Sequence, residues 1–148
     1  MTRVDVVARR IVPRGARPRD SVRTIESLPG RPGALLIYTN ENTYPEGGVF
    51  WTRHTEVGTV FVGPAGASSI FIKLHVGAVA DVDVEAGGLR TLLHLTPSED
   101  REIVVEVPPG SSLVPLRVQA SVSFRPSEIE PASQDTRQLG CYVRLSLR

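Results

Sequence analysis

Tyr44, Glu46, Phe50, Trp51, Arg53 and His54 fall within eleven residues, and together they mix aromatic rings with hydrogen-bonding ions. That mixture suits a sugar: the C–H side of the ring packs on an aromatic face while carboxylate, guanidinium or imidazole meets the hydroxyls. Tyr44, Glu46, Trp51, Arg53 and His54 are therefore the candidate ligand-binding residues. The same stretch also suits a core, because a lone tryptophan in a small domain commonly serves as a buried anchor. A second group, Glu128, Asp135 and Arg137, lies between the last two apolar stretches. An arginine fork held by one or two carboxylates would clamp a long crossing there, and lysine would not replace the planar fork.

Other chemistries find less support. His54, His75 and His94 fall on different expected strands, and a metal-dependent enzyme would need them to converge. The His-x-His pair with a nearby glutamate that a cupin-like site wants is missing, so no metal and no cofactor is expected. Asp81, Asp83 and Glu85 share one side of one strand, too few oxygens for calcium, and read as a solvated face that discourages edge pairing. There is no Gly-x-Ser-x-Gly, no P-loop, no dinucleotide fingerprint and no local pattern tying two carboxylates across a cleft. No catalytic residue is assigned. Cys141, the single cysteine, has the parity of an inward residue and reads as a buried thiol.

The elements that must position these residues are strands. Ile70, Ile72, Leu74 and Val76 alternate with Phe71, Lys73 and His75; Ala80, Val82 and Val84 alternate with the three acids; Leu89 to Leu95 repeats the pattern after a Gly87-Gly88 hairpin. Ile103 to Val107 stops at Pro108-Pro109-Gly110. A long strand from Leu113 to Phe124 follows, and Cys141, Val143, Leu145 and Leu147 line the last one. Asn40 to Gly48 reads as a polar loop. About eight to ten strands with no helical period predict an all-β, two-sheet antiparallel β-sandwich of jelly-roll or Greek-key type.

Charge divides the chain. Residues 1–31 carry a net +5 and residues 32–148 a net −4. The reading is an Arg-rich N-terminal arm or edge strand plus linker over 1–31, and the sandwich over 32–148. The arm either lies on the acidic body or meets an anionic partner; nucleic acid is not the favoured one. No apolar run is long enough for a membrane span, and the N-terminus lacks a secretory h-region, which points to a cytoplasmic location. Arginine is used almost to the exclusion of lysine, as in GC-rich bacterial genomes.

Tyr44-Pro45-Glu46-Gly47-Gly48-Val49-Phe50-Trp51-Thr52, then Phe124-x-Pro126-x-Glu128 and Asp135-x-Arg137-x-Leu139-Gly140, give residues 44–148 a likeness. They resemble the β-sandwich modules attached to bacterial glycosyltransferases and surface-polysaccharide proteins. The resemblance implies a non-catalytic accessory module that binds carbohydrate or positions a glycan-assembly enzyme, so a glycan or a glycosyltransferase-type protein is the implied partner. Two alternatives stand beside it: a structural or assembly protein making protein–protein or homo-oligomer contacts through sheet edges and the Arg-rich arm, and the metal-dependent enzyme.

Overall fold

A computed structural model describes residues 2–5 and 23–148, with side chains from Arg23 onward. Twelve strands form the described chain: β1 (Thr2–Asp5), β2 (Thr24–Ser27), β3 (Leu35–Tyr38), β4 (Thr43–Pro45), β5 (Val49–Arg53), β6 (Gly58–Gly63), β7 (Ser69–Val76), β8 (Ala80–Ala86), β9 (Leu89–Leu95), β10 (Arg101–Glu106), β11 (Val114–Ala120) and β12 (Leu139–Leu147). One helical turn, α1 (Pro126–Ile129), lies in the crossing between β11 and β12.

The strands make two six-stranded sheets, ordered β1-β10-β7-β12-β5-β4 and β2-β3-β6-β11-β8-β9. Strands β5 to β12 alone give the jelly-roll order, β10-β7-β12-β5 facing β6-β11-β8-β9, in which the chain changes sheet at every connection except the β8–β9 hairpin. All pairings within these eight are antiparallel. The added strands widen the rims, and β1 joins β10 in parallel. Gly87 and Gly88, with φ of 60° and 96°, make a two-residue turn with positive φ at both positions, whose twist matches that of the flanking strands.

Period-two alternation puts the core between the sheets. In β7, Ile70, Ile72, Leu74 and Val76 are buried while Phe71, Lys73 and His75 face outward. In β11, Val114, Leu116, Val118 and Ala120 do the same for the other layer. Tyr38 and Phe50 meet edge to face across the interior, with ring centroids 5.6 Å apart. Removing such a side chain, as in Phe50→Ala, costs about 3–5 kcal/mol in transfer and cavity terms.

Several sequence expectations need correction. The strand read as running from Leu113 to Phe124 stops at Ala120, because the chain there leaves one sheet for the other. Val122 is consequently exposed, and Phe124 bridges to Leu139 on the outward side of the first sheet. The polar loop Asn40 to Gly48 contains β4, whose Thr43 pairs with Thr52. The acids of β8 guard no edge, since β8 lies between β11 and β9. Leu89, read as inward, sits at the hairpin end and is 37% exposed.

Within residues 1–31, β1 and β2 are edge strands of opposite sheets. Arg23 pairs with Glu41 at 3.2 Å, and Arg31 donates to the Ala65 carbonyl. The linker reading of Pro13 to Pro18, and most of the arginines of the head, lie outside the described residues.

Candidate functional site

The outward side of the first sheet carries a row of rings. Register places Tyr44 of β4 opposite Trp51 of β5, Trp51 opposite Tyr142 of β12, and Tyr142 opposite His75 of β7. Four neighbouring strands thus present four cyclic side chains in one line, about 14 Å long at the usual strand spacing. Trp51 is the hub: its ring centroid lies 5.1 Å from Tyr142, 5.4 Å from Phe124 and 6.3 Å from His75. Trp51 is partly exposed and lies outside the core cluster, so the buried-anchor reading gives way to an outward one. Parity explains this: Phe50 and Thr52 point in, which leaves Trp51 to point out.

The crossing from β11 to β12 forms a wall beside this row. Between wall and row runs a groove of about 390 Å³, lined chiefly by Trp51, His75, Pro97, Phe124, Ile129 and Glu130. Phe124 rests on Gly77, where an added Cβ would collide with the far end of the phenyl ring. Glycine is required at 77 for that close approach. His75 has its Nδ1 2.8 Å from Asp100 Oδ1, which fixes the imidazole edge toward β10.

A clamp holds the wall. Arg137 donates from Nε to Asp135 Oδ1 at 3.0 Å, from Nη2 to Asp135 Oδ2 at 2.7 Å, and from Nη2 to Glu46 Oε2 at 3.0 Å. Its guanidinium also lies 4.9 Å over the Tyr44 ring. The hydrogen bonds from Arg137 hold the Asp135 carboxyl below its ordinary range, and Asp135 in turn raises the guanidinium. Glu128 is not part of this clamp: it faces Arg125 at 3.6 Å within the helical turn. Glu46 takes the place expected of Glu128 and is committed to Arg137.

Two further devices set the geometry of the row. Glu26 of β2 accepts hydrogen bonds from Tyr38 at 2.6 Å, from the Gly47 amide at 2.8 Å and from the Gly48 amide at 3.0 Å. Burial works against this carboxylate, but the three donors outweigh it and hold its pKa below the usual value. Burial and the Glu26 contact push the Tyr38 hydroxyl the other way, far upward. The second device is a bulge in β12: register against β5 slips by one residue between Leu139 and Tyr142. Thr52 Oγ1 accepts from the Cys141 amide at 2.8 Å, filling the gap in the ladder. At Gly140 a Cβ would stand 2.5 Å from both the His54 carbonyl and Thr52 Oγ1, so the bulge admits no side chain.

The five candidate ligand residues are thus separated. Tyr44 and Trp51 share the row, and Glu46 is engaged in the clamp. Arg53 is exposed at the end of β5 and makes no ion pair among the described residues. His54 adopts φ of 50° in the turn after β5, and its Nδ1 accepts the Thr55 amide at 2.7 Å. Sequence reasoning missed Tyr142, His75 and Phe124 as site residues. Alternation around buried Cys141 and Leu74 was sufficient to aim Tyr142 and His75 outward, but only the register puts them beside Trp51.

The three histidines do not converge: His54 sits in a turn, His75 on the first sheet and His94 on the second, where its Nδ1 meets Asp81 Oδ1 at 2.8 Å. Among the described residues no three metal-ligating side chains cluster. Cys141 is buried, and desolvation pushes its thiol up to about 12, leaving it unreactive near neutrality. No helix is long and apolar enough to cross a membrane among the described residues.

No protein-family model and no curated protein sequence matches this chain. Among solved structures it is similar to an exo-beta-1,3-galactanase from Phanerochaete chrysosporium with galactose, at 15% identity and a TM-score of 0.28. That alignment covers 83% of this chain and 26% of the galactanase, so the chain spans about a quarter of that protein's length. The assignment as a jelly-roll sandwich rests on the strand order of the molecule itself.

Proposed function

We propose that this protein is a non-catalytic carbohydrate-binding module whose ligand lies in the groove over Trp51, as part of bacterial glycan assembly. The observation that carries this reading is the row Tyr44, Trp51, Tyr142 and His75, backed by the groove beneath Phe124 and Ile129. Partly exposed rings offer apolar surface for sugar C–H groups, while Glu130 and the Asp100-held imidazole offer hydrogen bonds to hydroxyls. A preformed groove keeps the ordering cost of binding low, and the clamp at Arg137 supplies that rigidity.

The test is titration of soluble oligosaccharides of three to six residues, followed by the emission of the single tryptophan and by calorimetry. Saturable binding that shifts Trp51 emission, and that Trp51→Ala abolishes while the fold persists, supports the reading. Binding that survives Trp51→Ala, or no binding across neutral, amino and acidic sugars, overturns it.

A further inference from the structure

Beside the ring row lies a row of a different kind. Two residues further along the strands, about 7 Å away, register aligns Val49 of β5, Arg144 of β12, Lys73 of β7 and Glu102 of β10. Arg144 is exposed and forms no ion pair among the described residues. Lys73 is half exposed and approaches Asp100 only at 3.8 Å, while that carboxylate already holds His75 at 2.8 Å. Just past the end of the same strand, the Arg148 guanidinium lies 4.3 Å over Phe71. This face therefore carries Arg144 and Lys73 on its central strands, and Arg148 just past the end of β12, on the side of the rings away from the wall.

Several other cations are spoken for, Arg137 by Asp135 and Glu46, Arg90 by Asp83 and Arg23 by Glu41, while Arg53 stands unpaired among the described residues at the end of β5 and Arg117 lies on the other sheet opposite Glu85. An arginine left without a carboxylate in mid-sheet, one row from a set of aromatic rings, fits a ligand that brings its own carboxylate. Glu102 at the β10 end of the row repels such a group and directs it to β12 and β7. We infer that the ligand is an acidic glycan, its rings seated on Trp51 and Tyr142 and a uronate carboxylate held by Arg144 and Lys73. This rests on the carbohydrate reading above.

The test compares sugars matched in ring and length but not in charge: oligogalacturonates against their methyl esters, and oligoglucuronates against cello-oligosaccharides, each titrated calorimetrically into the full chain. The acidic member of a pair is expected to bind about tenfold tighter at low salt, as two exposed charge contacts allow. The advantage should shrink near about 0.5 M salt, where exposed charges are screened. Arg144→Met, and independently Lys73→Met, should reduce the preference while leaving neutral-sugar affinity and the thermal midpoint unchanged; Trp51→Ala should remove binding of both members. Equal affinity for acid and neutral members overturns the acidic-glycan inference and leaves the carbohydrate reading standing. Binding of sulfated oligosaccharides that survives Trp51→Ala also overturns it, as plain charge attraction. Failure of every pair to bind overturns both.

Discussion

On the outward side of β8 and β9, polar side chains answer one another: Arg90 reaches diagonally to grip Asp83, and His94 meets Asp81 directly across the ladder. On the outward side of β5, β12 and β7, the corresponding positions hold Trp51, Tyr142 and His75, and a crossing loop folds down beside them. On the first surface Asp81 and Asp83 are each answered within the chain, and water covers the rest. The second has large rings held at partial exposure, flanked by an unpaired arginine. Solvated charge pairs add little to stability, whereas rings kept half in water forgo burial that folding would otherwise reward. The proposed carbohydrate reading rests on this contrast.

This comparison can be broken in several places. Gly140→Ala should do the most damage, because the collision is with backbone and with the buried Thr52 hydroxyl; a loss of about 3 kcal/mol is expected by urea denaturation. Gly77→Ala should cost about 1–3 kcal/mol and displace Phe124 from the groove, visible as a red shift of Trp51 emission. Retention of wild-type emission in that variant would show that Phe124 does not shield Trp51. Arg137→Lys keeps the charge but loses the fork, for about 1 kcal/mol after allowing for the partial exposure of both partners. Its acid sensitivity should change as well. The Asp135 pKa is lowered on folding, so the pair's contribution is complete above the usual carboxylate range and disappears as pH falls through the folded value; Arg137→Lys should flatten that acid limb. Asp83→Asn on the other face should leave the denaturation midpoint nearly unmoved. A large effect there would erase the distinction between the two faces.

Much of the architecture was legible in the sequence because one side of every long strand is dry. The alternations in Ile70–Val76 and Ala80–Ala86 place each residue inward or outward without reference to partners. β4 escaped notice because three residues of Thr-Tyr-Pro show no period, and the end of β11 because Val122 and Phe124 continue the pattern after the chain has changed sheet. The clamp was half legible. Asp135 and Arg137 are neighbours in sequence, but the second carboxylate arrives from Glu46 in a hairpin turn distant along the chain. The two short motifs, Tyr44 to Thr52 and Asp135 to Gly140, converge in space: Glu46 answers Arg137, and Thr52 completes the ladder beside Gly140. Their joint logic is the mounting of the groove wall, which no spacing rule exposes.

Glu26 joins β2, on the rim of one sheet, to the β4–β5 turn on the rim of the other, through the paired amides of Gly47 and Gly48. That side of the sandwich is therefore laced shut by a single carboxylate in a cup of main-chain donors. A surface hairpin tip normally trades its amide protons with solvent in moments. These two should retain theirs nearly as long as the interior does, and lose that protection together when Glu26→Gln unties the seam.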